Sequence, residues 1–286
     1  MKCDCHIHMI LDGINFADAI NQHKAAVRDN LVRSRLQSYK DAGVNYLRDG
    51  GDAHGVSLFA RSIAHEYGIE YRSPAFPIYK KGRYGSFIGV GYETESDYLA
   101  LLDRAEADGA DFIKLMLTGI MDFDNYGVLS CEPLDADEMK MLISHAHDRG
   151  FTVMAHLNGD EAIKNALAAG VDSIEHGNFM SEDTVKMLSD SSAVWVPTVS
   201  PVLNCVGTGR FADEQLLKIG SSLIKNISLA AEHGAYIALG SDGGAWQVPH
   251  GKCVQDELDY LKLALGEGTE FVLGLGSAHI KEKFKR

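Results

Sequence analysis

A recurring glycine constrains this chain more than any other feature. Amphipathic stretches end on Gly43, Gly68, Gly109, Gly150, Gly170 and Gly234, and apolar runs of strand length follow. Glycine just past a helix accepts the left-handed conformation that stops it. The apolar runs are Cys3–Met9, Val44–Arg48, Tyr71–Ile78, Asp111–Leu117, Phe151–His156, Ser173–His176, Ala193–Thr198 and Tyr236–Ser241. The intervening helical patterns are Ala25–Asp41, Ser57–Tyr67, Glu95–Asp108, Asp135–Arg149, Glu161–Ala169, Glu182–Leu188 and Asp213–His233. Such alternation is the punctuation of βα units around a parallel sheet. Eight runs favour a closed (β/α)8 barrel over an open sheet. A barrel of that kind takes about 250 residues, so the 286 residues are expected to form one domain, 1–286.

Charge and composition narrow the function. Asp plus Glu number 40 against 27 Lys plus Arg, a net charge of −13. Such a chain repels phosphate backbones, which argues against nucleic acid as a partner. No apolar run approaches the roughly 18 residues of a membrane span, and Met1-Lys2 lead directly into Cys3-Asp4-Cys5-His6 rather than into an apolar leader. Five scattered cysteines do not make a disulfide framework. A cytoplasmic enzyme with a small-molecule substrate is the expectation, and a homo-oligomer is compatible with it.

Histidines cluster where a barrel does its chemistry. In His6-Ile7-His8 the two imidazoles stand two apart on a strand and so share a side. His156 closes the fifth apolar run, His176 the sixth, and Asp242 follows the eighth. Strand ends of a barrel converge on one face, the catalytic one. Several histidines with a carboxylate form a zinc-type ligand set. Taken singly, each is equally a polar residue at a strand end; the convergence of all of them is what favours a metal centre.

Lys114 lies inside Phe-Ile-Lys-Leu-Met-Leu. Burial disfavours an ammonium, and a neutral amine can add carbon dioxide to give a carbamate, an anion able to bridge two metals. Two divalent ions carry +4, of which a carbamate, Asp242 and one hydroxide remove three charges. The residues leave an alternative open, a lysine paired with a strand-end carboxylate such as Asp49 or Glu175.

The motifs Asp4-Cys5-His6-Ile7-His8, Asn45-Tyr46-Leu47-Arg48-Asp49, Ile113-Lys114-Leu115-Met116-Leu117-Thr118-Gly119, Ala155-His156, Ala168–Gly177, Pro197-Thr198 and Gly240-Ser241-Asp242 occur in this order along nearly the whole chain. In them the sequence resembles the amidohydrolase superfamily, specifically its imidazolonepropionase-like and Xaa-Pro dipeptidase-like branch. The resemblance implies that His6 and His8, completed by Asp242, hold the more buried metal. It implies that His156 and His176 hold the second, and that a carboxylated Lys114 bridges both. It further implies that Asp242 takes the proton of the attacking hydroxide and passes it to the leaving group. Two departures are visible. Relatives carry β-sandwich segments flanking the barrel that have no counterpart here, which suggests a barrel-only variant, and the glycine pair after the lysine strand is Gly119-Ile120.

The expected activity is metal-assisted hydrolysis of a small amide, such as a dipeptide, an N-acyl amino acid or a cyclic amide. The expected cofactors are two divalent ions, zinc foremost, and a carbamate derived from carbon dioxide. A mononuclear deaminase or cyclic-amidine hydrolase with an unmodified lysine is the rival, and a non-catalytic metal-binding barrel a third reading. His54, after the second run, and His250, after the eighth, are candidate substrate contacts. Tyr126 and Arg210 lie in the two long loops, where they could bind a substrate carboxylate, although a solvated role is the simpler one. Cys3 and Cys5 alternate away from the histidines, and His145 and His147 fall within a helix.

Overall fold

The computed structural model describes residues 2–285. Strands and helices follow one another as β1 (Lys2–Ile7), α1 (Phe16–His23), α2 (Asp29–Asp41), β2 (Val44–Asp49), α3 (Val56–Ile63), β3 (Glu70–Arg72), β4 (Pro77–Lys80), β5 (Val90–Tyr92) and α4 (Glu95–Ala107). Then come β6 (Ile113–Met116), α5 (Ala136–Asp148), β7 (Val153–Asn158), α6 (Asp160–Ala168), β8 (Ser173–Asn178), α7 (Glu182–Ser189) and β9 (Val194–Val196). The chain ends with α8 (Ser200–Leu203), α9 (Asp213–Glu232), β10 (Tyr236–Ile237), α10 (Cys253–Leu265) and α11 (Thr269–Lys283).

Local chemistry accounts for the boundaries. Thr94 and Asp97 form a reciprocal capping box at the start of α4, and Asp135 and Ser181 cap α5 and α7 with their side chains. Gly150 stops α5 at φ +76°. The expected helix Ala25–Asp41 begins only at Asp29, and a separate α1, capped by Asn15, precedes it.

All strand pairs are parallel, but the ladder is not one unbroken ring. It falls into a three-stranded sheet, β1-β2-β3, and a seven-stranded sheet, β10-β9-β8-β7-β6-β4-β5. The break comes inside the run expected as a single strand, Tyr71–Ile78. Pro74 has no N–H to give a ladder, and Ala75 sits at φ +65°. The first half therefore pairs with β2 and the second with β6. Backbone hydrogen bonds still cross both gaps: Asp111 N donates to Ser73 O (2.9 Å), Cys5 N to Leu239 O (2.8 Å) and Asp242 N to His6 O (2.8 Å). β5 was not expected; the loop between β4 and β5 turns inward and carries Tyr84 and Phe87 to the cavity described below.

β10 is two residues long where six were expected, and Gly240 beyond it runs so close to its neighbours that a side chain would not fit. A Cβ there would lie 2.2 Å from Val196 Cγ1 and 2.8 Å from His6 Cβ. Leucines, isoleucines and valines of strands and helices form a large continuous core. At the strands' N-terminal end a second cluster packs Phe284 and Phe112 around Arg48, whose guanidinium lies 4.5 Å from the Phe284 ring. No helix among the described residues is long and apolar enough to cross a membrane.

Candidate metal centre and active site

The site grows from three strand ends. β1 delivers His6 and His8, and backbone pairing beyond β10 brings Asp242 alongside. His6 Nε2 and His8 Nε2 lie 3.3 Å apart, and Asp242 Oδ1 lies 3.6 Å from the first and 3.3 Å from the second. Ligands at about 2.0–2.2 Å from a tetrahedral ion stand about 3.3–3.6 Å from one another. The triangle therefore fits a metal ion. With the proton of each ring on Nδ1, both Nε2 lone pairs are free for such an ion. Burial holds both histidines neutral: it pushes His8 down to about 3 and His6 well below its usual range.

The orientation of His6 is imposed from behind. Its Nδ1 lies 2.6 Å from Glu175 Oε2, so Nδ1–H donates and Nε2 keeps its lone pair for the cavity. Glu175 is itself held by Arg48, whose Nη2 donates to Oε1 at 2.8 Å, and by Ser173 Oγ. This chain is fully buried. Gly50 gives His8 its seat, since a Cβ at that position would stand 2.5 Å from His8 Cε1.

His8, Lys114, His156, His176 and Asp242 line one cavity of about 520 Å³, open solvent at its mouth included. His156 and His176 are adjacent, with ring centroids 4.5 Å apart. His156 Nε2 lies 3.2 Å from Gly119 O, and His176 Nδ1 lies 2.7 Å from Thr198 Oγ1, leaving the second nitrogen of each ring uncommitted. Burial pushes His156 down to about 3. These two do not join the His6–His8–Asp242 group, which among the described residues is the one set of three ligand atoms within 4.8 Å of one another. His176 (φ +69°), Thr198 (φ +50°) and Asp242 (φ +59°) all adopt left-handed backbone conformations. In β8 this turn lets Glu175 and His176, consecutive residues, both serve the interior. Non-glycine residues in that region carry strain of order 1–3 kcal/mol, characteristically at functional sites.

Lys114 is buried on β6, and its Nζ has no hydrogen-bond partner among the described residues. His8 Nδ1 and Asp242 Oδ1 are orphaned in the same way. Three buried polar atoms around one cavity, all lacking hydrogen bonds, fit a site shaped to hold something else. Burial lowers Lys114 to about 8 and raises Asp242 to about 7.

His54 is half-buried and lies outside the residues lining the cavity. His250 is also outside, with both nitrogens engaged: Nδ1 lies 3.0 Å from Tyr39 OH and Nε2 2.9 Å from Leu11 O. Sequence reasoning missed Tyr84, whose ring lies 5.0 Å from that of His156, and did not see Glu175 as the partner of His6. A carboxylate in the middle of an apolar strand was the available signal for Glu175; nothing marked Tyr84.

With this geometry in view, relatives can be compared. Residues 41–273 match the Amidohydrolase family. The chain belongs to that family. The matched span contains Lys114, His156, His176 and Asp242, while His6 and His8 precede it. An uncharacterised protein of Mycobacterium tuberculosis is 24% identical over 269 residues, covering 91% of this chain and 67% of that protein. Ochratoxinase of Aspergillus niger is 29% identical over 278 residues, 84% of this chain, which spans only 56% of that enzyme. The ochratoxinase structure superposes with a TM-score of 0.76 at 18% identity, over 99% of this chain and 71% of that one. A Xaa-Pro dipeptidase with bound methionine gives 0.75 at 20% identity, over 99% and 75%. This member of the amidohydrolase family is a hydrolase acting on carbon–nitrogen bonds.

Proposed function

We propose that this amidohydrolase-family chain is a metal-dependent hydrolase of small amides, built as one closed (β/α)8 barrel. The hydrogen bonds that cross the two gaps in the ladder support closure. The observation that carries the functional reading is the triangle of His6 Nε2, His8 Nε2 and Asp242 Oδ1, with edges of 3.3, 3.6 and 3.3 Å. His6, His8 and Asp242 would hold one divalent ion; His156 and His176 would hold a second. Bound there, such ions supply a hydroxide at neutral pH and polarise the scissile carbonyl.

The chain's own groups do the rest. Glu175 keeps the proton of His6 on Nδ1, and Thr198 orients His176. Asp242 accepts a proton at its carboxylate and returns it to the leaving nitrogen. Lys114 Nζ, whose hold on its proton is weakened by its apolar frame, would react in its neutral form with carbon dioxide, forming an N–C bond and releasing a proton to leave a carbamate anion. Met116, Met121 and Phe123 form apolar walls that limit water around the reacting amide.

A mononuclear deaminase or cyclic-amidine hydrolase is the second reading, favoured by the fact that among the described residues only His6, His8 and Asp242 converge as a group. Elemental analysis of protein reconstituted with zinc, combined with a screen of dipeptides, N-acyl amino acids and cyclic amides, separates the two. Two ions per chain and metal-dependent amide cleavage are expected. One ion per chain with deamination would establish the rival, and two ions without cleavage of any amide would overturn both.

A further inference from the structure

The inner cavity opens into a wider cleft of about 1030 Å³, solvent at its mouth included, which His8 and Asp242 also border. Its walls are aromatic: Phe16, Phe123, Phe211 and Trp246 line it. Phe123 and Phe211 stack with centroids 4.7 Å apart and 17° between planes, and both border the cleft. Phe16 is 57% exposed, an unusual state for a phenylalanine at a rim.

One cation stands in this wall. The Arg210 guanidinium lies 4.3 Å from the Trp246 ring and 5.3 Å from that of Phe211. Among the described residues it makes no ion pair, although the protein carries a net charge of −13 and its acidic groups outnumber its basic ones. Stacking on aromatic faces fixes the plane of a guanidinium and leaves its N–H edge free for a planar, two-oxygen anion. A surface this acidic repels anionic ligands, so a lone unpaired arginine beside the reaction site marks where one is admitted.

We propose that the outer cleft is the subsite for a substrate half bearing both an aromatic ring and an anionic group, with Arg210 as the anion receptor. The inference rests on the reading of the adjoining cavity as the hydrolytic site, and it makes the substrate an acidic aromatic amide. The ring packs against Phe123 and Phe211, and the carboxylate meets the edge of Arg210.

Binding tests this without requiring turnover. Titration of the zinc-loaded protein with 3-phenylpropanoate, neutral 3-phenylpropanol and ring-free butanoate should rank the first tightest. Arg210→Gln should weaken 3-phenylpropanoate by about fivefold and leave 3-phenylpropanol unchanged. Trp246→Leu should weaken both phenyl ligands and spare butanoate. Equal affinity for the acid and the alcohol in the unaltered protein would overturn the proposal. So would undiminished binding of the acid by Arg210→Gln, which would place the carboxylate on the metal ions instead. If these preferences hold but no dipeptide, N-acyl amino acid or cyclic amide is cleaved, the small-amide reading fails and the subsite stands.

Discussion

Glu175 Oε2 stands 2.6 Å from His6 Nδ1, while Oε1 of the same carboxylate accepts from Arg48 Nη2 at 2.8 Å. One fully buried carboxylate thus sets the tautomer of a proposed metal ligand and neutralises a buried guanidinium. Glu175→Gln is expected to do two separable things. Metal affinity, read by competition with a chromogenic chelator, should fall about 10–100-fold, the usual effect of losing a partner behind a ligand. Stability, read by denaturant unfolding of the metal-free protein, should fall by roughly 3–5 kcal/mol, because Arg48 is left with a buried, uncompensated charge. A variant that keeps wild-type metal affinity would show that Glu175 only balances Arg48.

Lys114 makes a second, sharper case. With its Nζ buried and unpartnered, the proposed carbamate requires carbon dioxide. Protein stripped of metal and reloaded with zinc in carbon-dioxide-depleted buffer should bind about one ion and recover little activity; added bicarbonate should restore both. Lys114→Ala should behave like the depleted protein whatever the bicarbonate level, and short carboxylic acids should rescue part of its activity. Full reactivation without bicarbonate would exclude the carbamate and leave a bare amine in a mononuclear site.

Much of this was legible in the sequence, and the reasons are local. The glycine stops, the β-branched runs and the histidines at strand ends all depend on short-range chemistry, which a sequence displays. The split between β3 and β4 was signalled only by Pro74, and the left-handed Ala75 beside it carried no marker. The close passage of Val196 and His6 by Gly240 is a relation between distant segments that no local pattern displays. His250 looked like a substrate contact because it follows the eighth strand. Its ring is instead consumed by Tyr39 and Leu11, which lie far away in sequence. For Arg210 the sequence left a substrate carboxylate and plain solvation both open, and only the folded cleft places it on Trp246.

Gly50 offers a test of how closely the site is fitted. A methyl group there would stand 2.5 Å from His8 Cε1 and 2.9 Å from His8 Nδ1. Contacts this short must be relieved, and the imidazole moves more easily than backbone, all the more because His8 Nδ1 has no hydrogen bond to hold it. Gly50→Ala should therefore turn His8 out of the triangle, cutting zinc affinity by at least about tenfold while the far-ultraviolet circular dichroism stays unchanged. Zinc binding at wild-type strength would mean that the triangle does not depend on the position of His8.

A surface pair allows a pH prediction that is independent of the metal. His147 on α5 points its Nε2 at Asp172 Oδ2, 2.8 Å away, and that hydrogen bond raises the imidazole above its ordinary value of 6.5. A group raised in the folded state binds its proton more tightly there than in the unfolded chain. The stability it contributes is therefore complete below pH 6.5 and is lost as pH rises through the raised value. His147→Gln keeps a donor for Asp172 but removes the charge. The variant should be less stable than the unaltered protein at pH 5.5, by under about 1 kcal/mol because the pair is partly exposed, and equal to it at pH 8.5. Denaturant midpoints of the two metal-free proteins across that range would measure the difference. A gap that stays constant with pH would show that shape or packing, rather than the charge on His147, accounts for the loss.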